Sequence, residues 1–126
     1  MKQRPSAVRR AVNFSAVKRI TRPGDYKRVY ATGVKYFGRS LKVYIVVNNL
    51  HYTRIGVVVG RRVSLSAVAR NRVKRILRHE ASRRIQALSP RGPLDVVVVA
   101  RPKPDGVWDS KTLREDLLLL SNRWPQ

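Results

Sequence analysis

Ala69-Arg70-Asn71-Arg72-Val73-Lys74-Arg75-Ile76-Leu77-Arg78 decides the architecture of this chain. Five cations stand between Arg70 and Arg78, with no Gly, Pro or acid among them. At about 100° per residue, Val73, Ile76, Leu77 and later Ala81 share one side of a helix. Asn71, Arg72, Lys74, Arg75, Arg78 and His79 fall on the other. The pattern predicts a helix from Ala67 to about Leu88, docked by its apolar stripe, with Ser66 as N-cap. Solvated helices normally interleave both signs of charge, whereas Glu80 is the only acid from Ser64 to Leu94. Unopposed like charges at i,i+4 repel, so the natural partner of this face is a polyanion.

Strands are expected on either side. Thr53 to Gly60 alternates, with Ile55, Val57 and Val59 on one face and Arg54, Gly56, Val58 and Gly60 on the other. A face with two glycines either lets a ligand backbone approach closely or marks bulges, and both readings stay open. Leu94-Asp95-Val96-Val97-Val98-Val99-Ala100 is nearly continuous in apolar residues, so an internal strand covered on both faces is expected. Strand, long helix and strand together suggest a crossover to a parallel neighbour.

Upstream, Leu41 to Asn48 alternates, with Leu41, Val43, Ile45 and Val47 toward the core and Lys42, Tyr44, Val46 and Asn48 away from it. Tyr36-Phe37 is a candidate extension past Gly38. Asn48-Asn49-Leu50-His51-Tyr52 reads as a hairpin loop to the Thr53 strand. Thr21-Arg22-Pro23-Gly24-Asp25 reads as a helix start, with a capping Thr, a first-turn Pro and an early acid. That helix should run from about Pro23 to Thr32 and stop at Gly33. It places Tyr26 and Tyr30 on one face, with either core packing or one buried ring edge as their role. Pro90-Arg91-Gly92-Pro93 breaks the chain, and Asp109 or Ser110 caps a last helix, Lys111 to Asn122, with Leu113, Leu117 and Leu120 inward.

The chain has 126 residues and a formal charge of +21, from 28 Lys and Arg against 7 acids. Residues 1–79 hold 20 of the cations and one acid, Asp25, whereas residues 80–126 hold 8 and 6. Nucleic acid is the favoured partner, because no long apolar face accompanies the cations as a membrane surface would require. Residues 1–20 read as a basic flexible arm, with a short helical turn around Ala7–Val17, and residues 21–126 as a single domain. The arm's composition also permits a transit peptide; an RNA-contacting arm is preferred. Cysteine is absent, which excludes disulfides and thiolate metal sites and is compatible with a cytoplasmic location. The longest apolar runs, Val43–Val47 and Val96–Ala100, are far too short to span a membrane.

No enzyme chemistry is visible. His51 and His79 have no sequence-local nucleophile or carboxylate pair beyond Glu80. Asp95, Asp105, Asp109, Glu115 and Asp116 read as caps and solvated positions, not as a metal-binding carboxylate cluster. No Gly-rich phosphate loop opens a helix.

The run Arg70 to Arg78 resembles the Arg-Asn-Arg signature helix of the protein component of bacterial ribonuclease P. Asp25-Tyr26-Lys27-Arg28-Val29-Tyr30-Ala31-Thr32-Gly33 resembles that family's first helix. Ile55 to Val63 resembles its second strand and basic exit, and Asp95 to Pro102 its last strand. The resemblance covers about residues 20–122. It implies an α+β fold (an α/β sandwich): a mixed four-stranded sheet, three helices and a left-handed βαβ crossover. A domain of ribosomal small-subunit protein five and domain four of elongation factor G are similar in fold.

The resemblance also implies a subunit of an endoribonuclease whose catalysis resides in its RNA, with magnesium held by that RNA. The holoenzyme frees the mature 5′ end of tRNA, and the isolated protein is expected to be inactive. The implied partners are the catalytic RNA and precursor tRNA. Arg70, Asn71, Arg72, Lys74, Arg75 and Arg78 would face the catalytic RNA. Tyr26, Tyr30, Lys42, Tyr44, Arg61 and Arg62 would line a cleft for the precursor's 5′ leader. No catalytic or metal-ligating residue is assigned to the protein. Ser64-Leu65-Ser66 departs from the Gly-and-Lys type of linker in the family. The alternative is a ribosomal-type RNA-binding or RNA-chaperone protein without processing activity. A helix-turn-helix DNA binder fits poorly, because strands and not a partner helix flank the basic helix.

Overall fold

A computed structural model of the chain describes residues 17–63, 66–88, 92–102 and 110–123. Its elements in order are β1 (Lys18–Arg19), α1 (Pro23–Thr32), β2 (Val34–Phe37), β3 (Leu41–Val47), β4 (Arg54–Val58), α2 (Ala67–Leu88), β5 (Leu94–Ala100) and α3 (Ser110–Ser121). The strands form one mixed sheet in the order β1-β4-β5-β3-β2. β1 and β5 run parallel to β4, while β3 is antiparallel to both β5 and β2. The fold is α+β, as expected, with three helices among the described residues.

Two expectations about the sheet are corrected. It has five strands, not four, because Lys18-Arg19 joins its edge beside Arg54 and Ile55. The chain therefore enters the sheet two residues before the expected end of the arm, and Ile20 is buried. The anticipated turn around Ala7–Val17 lies outside the described residues, apart from Val17. The second correction concerns the hairpin: β3 and β4 are not neighbours, since β5 lies between them. An all-apolar strand gains most from a neighbour on each side and a covered face above and below. The β4–α2–β5 crossover delivers that arrangement. The Asn48 link then has to bridge one strand position. Its side chain fixes it there, accepting from Leu50 N–H at 2.8 Å and donating to Asp95 Oδ1 at 2.8 Å.

Alternation along the strands places a core on each face of the sheet. On one face Leu41, Val43, Ile45, Ile55, Val57, Val96 and Val98 meet Val73, Leu77, Ala81 and Ile85 of α2. Leu113, Leu117 and Leu120 of α3 are fully buried in the same cluster, each contributing about 1.5–3 kcal/mol relative to exposure. The opposite face, toward which β3 was expected to turn Tyr44 away from the core, carries a smaller core of its own: Ile20, Val29, Tyr44 and Val97, under α1, so β5 is covered on both faces as expected. Val47, expected inward, is exposed at the end of β3.

The helix ends refine the sequence signals. Arg22, not Thr21, is the N-cap of α1; its backbone is extended and its side chain makes no capping bond, with Pro23 in the first turn. Gly33 ends α1 with φ −77°, so no left-handed conformation is involved. A Cβ there would lie 2.7 Å from Val29 O and 3.3 Å from Ile45 O, so the carbonyl in the last turn of α1 demands glycine and β3 leaves little room to shift. At α2, Ser66 caps as expected, its Oγ accepting from Ala69 N–H at 3.2 Å. Ser64 and Leu65 lie outside the described residues, as do Asp105 and Asp109.

Candidate nucleic-acid interface

The apolar stripe of α2 is Val73, Leu77, Ala81 and Ile85, one residue per turn, and all four are buried. Its burial fixes which residues point outward. Asn71, Arg72 and Arg75 are exposed, and Arg70, Lys74 and Arg78 are half-buried. Between α2 and β1 lies a hollow of about 340 Å³ lined by Lys18, Arg19, Arg75, Arg78 and His79, with no acid at its wall. Arg78 Nε is buried in the protein without a hydrogen-bond partner. Burial lowers the Arg78 pKa, and the neighbouring Arg19 charge lowers it further. Arginine remains protonated even so, so the hollow keeps a half-buried cation at its wall.

The expected leader residues separate into two groups. Tyr26, Tyr30, Tyr44 and Lys42 are brought together. Tyr26 packs against β4, where Gly56 makes room: a Cβ there would come within 2.6 Å of its ring. At Gly56 the space is taken by Tyr26, not by a ligand backbone, and pairing with Val97 runs on without a bulge; Gly60 lies beyond the end of β4, with nothing within 4 Å of its Cβ position. The Tyr26 hydroxyl donates to Ile20 O at 3.1 Å. Ring centroids are 6.4 Å apart for Tyr26 and Tyr30, and 4.8 Å apart, edge to face, for Tyr30 and Tyr44. Lys42 Nζ stands 5.5 Å from the Tyr44 centroid.

Tyr30 is 36% exposed and Tyr44 only 8%, so Tyr30 is the open ring and Tyr44 its support. A hollow of about 400 Å³ runs beside α1, lined by Pro23, Tyr26, Lys27, Tyr30 and Val58. Burial raises the pKa of Tyr26, partly offset by the Arg78 charge; burial and then the two neighbouring tyrosines raise that of Tyr30. Both rings stay neutral at physiological pH and can stack. Arg61 and Arg62 are exposed in the turn after β4, and none of the ring, cation–π or hydrogen-bond contacts among the described residues joins them to the tyrosines.

The acids read as solvated include two that are buried. Asp95 is fully buried: Arg54 Nε and Nη2 donate to it at 2.9 and 2.7 Å, and Arg28 and Asn48 complete its shell. Burial alone would raise its pKa, but the bonds from Arg54 and Asn48 and the charges of Arg54 and Arg28 outweigh it and hold the carboxyl below its usual range. Asp116 is buried too and accepts from Ser40 N–H at 3.0 Å and Ser40 Oγ at 2.9 Å. Asp25 pairs with Arg54, and Glu80 with Arg114. These four acids are tied to internal partners, three of them to arginines. No group of three or more His, Cys, Asp or Glu able to hold a metal occurs among the described residues.

The fold and these faces define a cationic nucleic-acid-binding protein of the α+β class. The family model for ribonuclease P matches residues 14–123. The chain is 35% identical over 89 residues to the ribonuclease P protein component of Nitrosococcus oceani, covering 71% of this chain and 72% of that one. It is 32% identical over 104 residues to that of Thioalkalivibrio sulfidiphilus, covering 82% and 83%. Among solved structures, the RNase P protein from Thermotoga maritima is similar with a TM-score of 0.68 at 28% identity, covering 85% of this chain and 98% of that chain. The chain belongs to the ribonuclease P protein family.

Proposed function

We propose that this chain serves ribonuclease P by holding two RNAs on different surfaces, the catalytic RNA on α2 and the 5′ leader of precursor tRNA on the tyrosine groove. As a member of the family it is a protein subunit of ribonuclease P, with an RNA partner and a part in tRNA 5′ processing. The observation that carries the two-surface reading is the partition of the chain's chemistry. Arginines and a lysine dominate α2, whereas the groove beside α1 combines stacked aromatic rings with Lys27 and Lys42.

Guanidinium forks suit phosphate oxygens, and contacts to the RNA backbone give affinity without reading sequence. Arg70, Asn71, Arg72, Lys74, Arg75 and Arg78 take that role. Aromatic stacking tolerates any base, which suits leaders that differ between precursors. Tyr26, Tyr30, Tyr44 and Lys42 take this second role, with Tyr30 as the open ring. Arg61 and Arg62 act as exposed phosphate contacts at the end of β4, apart from the tyrosines.

In this reading the RNA performs the cleavage and holds the magnesium. Asp25, Asp95, Glu80 and Asp116 are engaged with Arg or Ser partners and offer no joint carboxylate cluster. The isolated protein is then inactive and acts in the cytoplasm as part of the ribonucleoprotein. No described helix is long and apolar enough to cross a membrane.

Sequencing the RNA that co-purifies with the tagged chain tests the assignment. A single abundant structured RNA that cleaves precursor tRNA with magnesium is expected. Predominance of ribosomal RNA supports the ribosomal or chaperone alternative instead. Cleavage by RNA-free protein, shown clear of contaminating nuclease, contradicts the division of labour.

A further inference from the structure

The sheet face under α1 is only half covered. Register aligns two rows of side chains across it. Gly56, Val97, Tyr44 and Lys35 form one row, and α1 lies over it through Tyr26 and Tyr30. Val58, Val99, Lys42 and Phe37 form the other, directly opposite one another on four successive strands. At about 4.8 Å between strands, that second row is roughly 14 Å long. It begins at Val58, in the wall of the hollow beside Tyr30, and ends on the edge strand β2 at Phe37, which is 55% exposed.

Phe37 is not a stray apolar residue at an edge. Lys42 Nζ lies 5.8 Å from its ring centroid and the Arg101 guanidinium 6.0 Å from it. Lys42 thus stands between the Tyr44 and Phe37 rings and links the two rows. The surroundings are held in place: Arg101 Nη1 donates to Gly38 O at 2.9 Å, and Arg123 Nη2 to Phe37 O at 2.9 Å. An exposed ring flanked by two cations meets what a nucleotide offers, a π face beside a phosphate. A second copy of the chain fits less well, since it would bring cations against cations at a net charge of +21.

We propose that Phe37 is a further base-stacking site for single-stranded RNA, seated at the β2 end of the groove and completed by Lys42 and Arg101. The inference rests on the leader reading of the Tyr30 groove. It adds that the strand crosses the sheet along the Val58–Phe37 row, and that a longer leader gains a second stack.

The test is precursor tRNA affinity as a function of leader length, measured on reconstituted holoenzyme carrying wild-type, Phe37→Ala, Phe37→Trp or Tyr30→Ala protein. Phe37→Ala should match wild type on the shortest leaders and weaken binding of longer ones about five- to ten-fold. Phe37→Trp should restore that gain. If Tyr30→Ala weakens binding while Phe37→Ala is silent at every length, the Phe37 site is refuted and the groove stands. If neither variant responds to the leader, the groove reading fails and the Phe37 site with it. An equal loss on leaderless tRNA, or self-association that Phe37→Ala abolishes, also overturns the proposal.

Discussion

The Tyr30 ring meets the Tyr44 ring edge to face at 4.8 Å, with Tyr44 buried below and Tyr30 open above. The two tyrosines therefore predict different consequences. Tyr44→Ala empties part of the small core formed with Ile20, Val29 and Val97 and should cost about 3–5 kcal/mol of stability, as large-to-small aromatic changes do. Tyr30→Ala removes a partly exposed ring and should cost far less. Melting curves of the two variants check this, and equal losses would mean that Tyr30 is a core residue.

The helices and the central strand were legible in the sequence because their signals are local. The stripe Val73, Leu77, Ala81 and the run Val96 to Ala100 state their own surroundings. Strand order was legible only in part: strand, long helix and strand implied the parallel β4–β5 pair, but not that β3 lies on the other side of β5. Neighbours in sequence make a hairpin the natural reading of Asn48–Tyr52, and only the demand of β5 for two neighbours overrides it. Lys18-Arg19 is too short and too charged to announce a strand. Asp95 looked like a solvated acid until register set it opposite Arg54. The tyrosine cluster was half legible: four-residue spacing united Tyr26 with Tyr30, but nothing local showed that Gly56 seats Tyr26 or that Tyr44 lies beneath Tyr30. Local sequence marks Phe37 only as part of a strand, because its cationic surroundings arise from cross-strand pairing with Lys42.

Asp95 should set the acid limit of the fold. Its folded pKa lies below the ordinary value, so the stabilisation is fully present above about pH 4. It is lost as pH falls further, through the folded pKa. Asp95→Ala, which takes the buried carboxylate from Arg54 and Arg28 and leaves Arg54 paired with Asp25 alone, should cost on the order of 3 kcal/mol at neutral pH. Asp95→Asn should flatten the dependence of stability on pH below about 4. Denaturant titrations at several pH values check both. A wild-type slope in Asp95→Asn would assign the acid limit to other carboxylates.

Arg72 and Arg75 are exposed on α2 and take no part in its apolar stripe. Changing both to Ala should weaken binding of the catalytic RNA and leave the fold intact. Each lost phosphate contact should reduce the magnitude of the log–log salt slope by somewhat under one unit. Affinity measured across a salt series gives the slope directly. An unchanged slope with unchanged affinity would place these side chains in solvent.

The division of labour between α2 and the Tyr30 groove is tested most directly by one comparison. The affinities of leader-bearing and leaderless tRNA are measured on holoenzyme with wild-type or Tyr30→Ala protein. Mature tRNA has no leader and cannot use the groove. Tyr30→Ala should therefore weaken precursor binding by roughly 1–3 kcal/mol, leaving mature tRNA affinity and assembly with the catalytic RNA nearly unchanged. Equal losses for both RNAs, with the melting temperature preserved, would show that the groove does not hold the leader.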